Sequence, residues 1–329
     1  MNPANSLRRV RAVYQEYPAQ FWTLMGALFI DRLGGAVLFP FFTLYVTARY
    51  GVGMTEVGII FGLFSISSVV GGVVGGALSD RIGRKSMLIA GLIISAASML
   101  AMGLVNSIEL FFGTALVVGL FASIGGPAQQ AMVADLLPEE QRAQGFGILR
   151  VVINLAVTIG PAIGGLLAGR SFLFLFICDA VFSLITAVIV FFAMQETKPA
   201  AGPGAPQESV AQTFAGYGRV LRDVNYTLFI GASVLMTLVY MQMNTTLAVY
   251  LRDVHHTTEQ GYGFIISLNA AMVVLFQFYI TRRVAKYRPL TIMVAGSLLY
   301  AVGFGMYGVV STSGLFMAAM VVITVGERR

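Results

Sequence analysis

The sequence predicts an all-α membrane protein: one complete six-helix bundle, a polar linker and a partial second bundle. Three observations carry this expectation. Apolar residues make up 57% of 329 and charged residues 11%, where an ordinary globular domain is roughly 25% charged. Mean hydropathy is +0.81. Nine apolar segments each reach the roughly 20 residues that carry a helix across a hydrocarbon core about 30 Å thick, and none shows the alternation of a barrel strand. Finally, Lys and Arg collect in alternate connections, as the topology of inserted helices requires.

The first segment runs at about 20–46. Arg8, Arg9 and Arg11 precede it, and no small-residue cleavage site follows a short apolar core, so it reads as a retained anchor. The second and third, at about 56–79 and 86–106, flank the stretch GALSDRIGRK. Charge that dense must turn through water, and so short a turn makes the flanking helices antiparallel neighbours. The fourth and fifth, at about 108–134 and 145–169, flank the acidic turn in DLLPEEQRAQGFG; a sixth follows at about 172–194. Residues 195–225 contain PAAGPGAPQES and read as a linker between residues 1–194 and 226–329. Segments at about 226–250, 261–281 and 290–311 follow, and a tenth starts near 314. Each is read as one helix. The tenth meets Glu327 after about 14 residues, roughly 21 Å of helix, which predicts a chain truncated at its C-terminus.

With the amino terminus and the linker placed inside, the inner segments hold Arg8, Arg9, Arg11, Arg81, Arg84, Lys85, Arg142, Lys198, Arg219, Arg222, Arg282, Arg283, Lys286, Arg288, Arg328 and Arg329. The outer turns hold only Arg49, Arg170 and Arg252. Sixteen against three fixes the orientation and explains the net charge of +6 without a nucleic-acid partner; lipid phosphates are the counter-charges. The single Cys178 excludes a disulfide framework within the chain. The only histidines, His255 and His256, fall in a polar turn and are expected in solvent, and no metal-ligand cluster is present.

The pattern Gly76, Asp80, Arg81, Gly83, Arg84, Lys85 resembles the loop between helices two and three of the major facilitator superfamily. Gly76, with Gly71, Gly72 and Gly75 before it, removes side chains so that another helix can come close. In that family the loop latches the bundles, with the position of Asp80 closing against an eleventh helix. Asp135 to Gly147 resembles the family's loop between helices four and five. It implies an inner charge network of Asp135 with Arg81 or Arg84, joined by Arg142 and Arg150. In helix five, Gly147, Ala156, Gly160, Pro161, Gly164 and Gly165 resemble the family's antiporter motif, with Ala156 where Gly is usual; Pro161 should kink the helix. The resemblance covers essentially the whole chain and implies a transporter, not an enzyme. A degenerate repeat, ALSDRIGRKSM against YITRRVAKYRP, agrees with two related halves. The family's fourth helix often carries an Arg linked to proton transfer, but residues 113–126 here carry no charge.

Proton coupling must then use other residues. Asp31 and Arg32 lie in the first segment, Asp31 about 15 Å along it and near the midplane. Ionisable groups there face protein or water and mark function. Neighbouring residues diverge by about 100° on a helix, so the two should have different partners. Asp179 is expected to serve structural hydrogen bonding. Gln129 and Gln130, Asn154, Tyr240, Gln242, Asn244, Asn269 and Gln277 are the candidate cavity residues. A wall rich in Phe, Met and Tyr suits amphipathic organic molecules.

These readings predict proton-coupled export of small amphipathic compounds by alternating access, from a monomer in the cell's inner membrane. The partners are a small-molecule substrate, protons and the bilayer, with no cofactor or metal. Uptake of a sugar or other metabolite is the alternative within transport. A non-transporting fragment or membrane-embedded interaction protein is the alternative from another class.

Overall fold

The computed structural model describes residues 14–198, 223–284 and 287–326. They form helices and turns without strands. The chain runs through α1 (Ala19–Leu38), a 3₁₀ turn (Phe39–Phe41), α2 (Phe42–Tyr50), α3 (Met54–Ile82), α4 (Arg84–Leu104), α5 (Ile108–Ala122), α6 (Gly125–Asp135), α7 (Glu139–Ala168) and α8 (Leu173–Ala193). Then follow α9 (Val224–Gln242), α10 (Thr246–His255), α11 (Glu259–Val284), α12 (Pro289–Tyr307) and α13 (Ser313–Gly326). Among the described residues eight spans are long and apolar enough to cross a membrane; Ser313–Gly326 is a shorter apolar helix. Residues 199–222, most of the expected linker, lie outside the described residues, as do Glu327, Arg328 and Arg329.

Three segments expected as single helices are each broken in two. Pro40 interrupts the first, and the chain passes through the 3₁₀ turn before resuming at Phe42. In the fourth, Pro127 has no N–H to give Ser123. The chain turns at Ser123 and Ile124, with Ile124 N–H donating to the Phe121 carbonyl at 3.3 Å. In the seventh, the N–H groups of Met243 and Asn244 donate three residues back, to Tyr240 and Met241. Broken backbone is tolerated at membrane depth only where protein or a cavity covers it. All three breaks border the same cavity.

Close packing depends on missing side chains. A Cβ on Gly71 or Gly75 would collide with the carbonyls of Leu120 or Ile124, so these two glycines bring α3 onto α5. Gly72 faces open space, and Gly76 has only ordinary contact with Pro127. The expected close approach thus belongs to Gly71 and Gly75. α7 runs unbroken through Pro161. Its Gly160 and Gly164 press on Ala36 and Val37 of α1, and Gly165 on Glu259 and Gln260 of α11. A Cβ on Gly147 would meet nothing within 4 Å, and Ala156 is fully buried.

Two buried apolar clusters result. One, around Phe21, Leu28, Leu88, Met132 and Val190, draws only on residues before Gln195. The other, around Phe41, Tyr45, Phe176, Leu251, Tyr262 and Phe316, joins the early helices to α10, α11, α12 and α13. α9 buries no residue. Large apolar side chains such as Ile66, Val73 and Phe192 cover the outside, as a lipid-facing surface requires.

Candidate functional site

A cavity of about 590 Å³ lies between the two clusters. Its walls come from α1, α3, α4, α6, α7, α8 and α11 and from the three helix breaks. Phe39, Phe64, Leu92, Met99, Met241 and Met243 make much of it apolar. Its charged residues are Asp31, Arg32 and Asp179.

The two expected coupling residues do diverge. Ser183 Oγ donates to Asp31 Oδ1 at 3.1 Å, tying α8 to α1. Arg32 Nη2 donates to Gln129 Oε1 at 2.8 Å, reaching the uncharged fourth segment. A guanidinium therefore stands beside that segment, supplied by α1. Neither Asp31 nor Asp179 has an ion-pair partner among the described residues. Asp179 is buried against Gly34, with no hydrogen bond to its side chain among the described residues. The structural hydrogen bonding expected of Asp179 is thus not found.

Of the polar candidates, Gln129, Tyr240, Asn244 and Asn269 line the cavity. Asn269 also donates to Thr324 Oγ at 2.9 Å, holding α13. Asn154 is off the lining, where Ile153, Val157 and Pro161 stand for α7. Gln130 is also off it. Gln242 donates to the Leu238 carbonyl of its own helix and accepts from the Thr246 hydroxyl at the start of α10. The side chain of Gln277 lies outside the described residues. Sequence reasoning passed over Ser183 and Ser95, whose signal was a polar residue inside an apolar run.

The charge network sits apart from the cavity, at the α3–α4 turn. Arg84 Nε lies 2.7 Å from Asp135 Oδ2, and Arg84 Nη2 lies 3.7 Å from Asp80 Oδ1. Arg84 is thus the partner of Asp135; the side chain of Arg81 is not, and its carbonyl accepts from Lys198 Nζ at 3.0 Å. Arg142 Nε bonds the carbonyls of Ala134 and Leu137 in place of a carboxylate. Arg150 is exposed, with no ion pair among the described residues. Glu196, which the sequence gave no reason to single out, accepts the N–H groups of Arg84 and Lys85 at the start of α4. Gly83 has φ 120°, and a Cβ there would collide with the Glu196 carboxylate, so only glycine suits both demands.

At the opposite end, Arg252 Nη1 donates to Thr47 Oγ at 3.0 Å and to the Leu44 carbonyl at 3.4 Å, joining α10 to α2. His255 is not free in solvent as expected: its ring lies against Tyr250 and Phe316.

Comparison with known proteins agrees with this architecture. The model of the Major Facilitator Superfamily matches residues 24–327. The chain is 28% identical over 331 residues to a Na(+), Li(+), K(+)/H(+) antiporter of Planococcus maritimus, covering 92% of this chain and 77% of that protein. It is 23% identical over 287 residues to the quinolone resistance protein NorA of Staphylococcus aureus, covering 86% and 71%. The crystal structure of the nucleoside transporter NupG superimposes with a TM-score of 0.74 at 14% identity, over 94% of this chain and 79% of that one, a likeness of fold. With its broken helices around one central cavity and a family match across nearly its whole length, the chain belongs to the Major Facilitator Superfamily of multi-pass membrane transporters.

Proposed function

We propose that the protein exports small amphipathic molecules in exchange for protons, and that Asp31 takes up the coupling proton. The observation that carries this is Asp31 itself. It is a carboxylate on a cavity wall inside the spanning region, without an ion pair among the described residues. Such a group is costly in hydrocarbon, at least ~2.5–3.5 kcal/mol on insertion scales, and its hydrogen bond from Ser183 supplies no counter-charge. A cavity of about 590 Å³ with Phe and Met walls is in the range used for drug-sized ligands. Similarity to NorA, named for quinolone resistance, supports the substrate class.

The positive loops orient the α3–α4 turn to the cytoplasm. The glycine contacts, Arg252 and the shared apolar cluster then close the outer side. The cluster on the inner side stays within the first six segments. This arrangement supports a state open to the cytoplasm, in which the two bundles rock about the cavity.

Exchange of an inorganic monovalent cation for protons is the second reading, favoured by likeness to the antiporter of Planococcus maritimus. Proteoliposomes distinguish the two. With an imposed pH gradient, wild-type protein should drive ethidium transport and Asp31→Asn should not; gradient-driven transport in that variant would sink the role of Asp31. Internal pH changes on adding NaCl, without any response to ethidium, would favour the second reading over the first.

A further inference from the structure

α8 is almost wholly apolar, LFLFICDAVFSLITAVIVFFA, yet one face carries Asp179, Ser183 and Thr186 at helical spacing. That face lies on α1 in antiparallel register. Thr186 Oγ donates to the Ala27 carbonyl at 3.0 Å, and Ser183 Oγ to Asp31 Oδ1 at 3.1 Å. One turn further on, a Cβ placed on Gly34 would sit 2.9 Å from Asp179 Oδ1. Asp179 therefore stands one helical turn from Asp31 along the same seam, and both line the cavity.

Asp179 is 6% exposed, with no hydrogen bond to its side chain among the described residues. A buried, ionised carboxylate without a donor or a counter-ion is not a stable end state. Arg32 faces the same cavity but commits Nη2 to Gln129. The other helices packed on α8 bring no charge of their own to this seam. Arg84 and Lys85 of α4 are at the far turn, with Glu139, Glu140 and Arg142 of α7 near the same end, and Arg150 is exposed. The two acids on this seam are Asp31 and Asp179, one helical turn apart.

We infer that Asp31 and Asp179 act as one carboxyl pair that holds a single proton between α1 and α8. This rests on the proposed role of Asp31 and extends it: the proton is shared, and its release leaves two like charges on one seam. That repulsion is relieved when Arg32 leaves Gln129 and turns back between them, so proton release and helix movement are linked.

Coupling between two acids has a signature that a packing role lacks. The stretch of the protonated carboxyl can be followed by infrared difference spectroscopy on purified protein through a pH titration. Asp31→Asn and Asp179→Asn should each move the midpoint of the surviving acid by more than about one pH unit from its wild-type step. An unmoved midpoint in both variants overturns the pair. In proteoliposomes, Asp179→Asn should lose pH-driven ethidium transport while a monodisperse elution and a thermal midpoint near that of the wild type report an intact fold; Asp179→Glu should restore part of the pH response. Should Asp179→Asn fail to fold, Gly34→Ala displaces the carboxylate without removing it and should shift the same titration; an unchanged titration there overturns the pair. If Asp31→Asn is inactive in pH-driven transport but Asp179→Asn follows the wild-type pH profile, the pair fails and the role of Asp31 stands. If Asp31→Asn keeps pH-driven transport, that role fails first. Loss of the carboxyl band on adding NaCl at fixed pH would assign the occupant to an inorganic cation and overturn the shared proton.

Discussion

Charge is handled in opposite ways at the α3–α4 turn and in the central cavity. At the turn, Arg84 meets two carboxylates, and Glu196 accepts four backbone N–H groups, those of Arg84, Lys85, Thr197 and Lys198. In the cavity, two carboxylates and a guanidinium line one wall space without an ion pair among the described residues. A saturated network has one low-energy arrangement and holds helices in place. An unsaturated set has several, each selected by what binds. On the function proposed above, charge at the turn would stabilise one state, whereas charge in the cavity would be free to switch between states.

The largest effect should come from removing the hub of the saturated network. Arg84→Ala leaves Asp135, whose side chain is 14% exposed, without its partner at 2.7 Å. Breaking a fully buried pair costs 3–5 kcal/mol; partial exposure reduces this to roughly 2 kcal/mol. The thermal midpoint of the detergent-purified protein should fall, while the pH profile of transport by the surviving protein keeps its shape. Asp31→Asn should do the reverse, leaving the midpoint nearly unchanged and flattening the pH profile. If both variants moved both readouts together, the division between the two regions would be wrong.

An effect of similar size tests which glycines of the helix-five motif bear on packing. A Cβ on Gly164 would collide with the Val37 carbonyl and the ring of Phe41, whereas one on Gly147 meets nothing within 4 Å. Gly164→Ala should cost about 1–3 kcal/mol through forced separation of α7 from α1. Gly147→Ala should be neutral or slightly stabilising in a helix. Thermal unfolding of the two variants side by side decides it, and equal losses would contradict the packing described.

The order and approximate bounds of the apolar segments could be read from hydropathy because length and apolarity are properties of each segment alone. The breaks at Phe39–Phe41, Ser123 and Met243 escaped that reading, since apolar residues continue through them and the cause is local: Pro40, Pro127 and a run of three-residue turns. Asp31 and Arg32 stood out as charges in hydrocarbon. Asp179 stood out equally, but its lack of a partner depends on how α8 is rotated against α1. The triad Asp179, Ser183 and Thr186 held that rotation in its spacing. Asn154 misled because polarity alone does not say which side of α7 faces the cavity. Glu196 carried no signal: its role comes from the chain folding back after α8 onto the first turn of α4.

Glu196 also makes the saturated region testable by pH. Its partial burial alone would raise the pKa, but the N–H groups of Lys198, Arg84, Lys85 and Thr197 outweigh that, and it is held below its ordinary 4.5. A carboxylate with a lowered folded-state pKa stabilises fully above its unfolded value, and the contribution is lost as pH falls through the folded value. The gain is small because the side chain is largely exposed. Thermal midpoints between about pH 7 and pH 3 should therefore drop for the wild type on the acid side of that window. Glu196→Gln should start slightly lower at neutral pH, since the anion at the helix start is gone, and should converge with the wild type as the carboxylate protonates. Parallel curves across the window would mean that Glu196 adds nothing to the hold on α4, and the saturated network would shrink to Arg84 and its two acids.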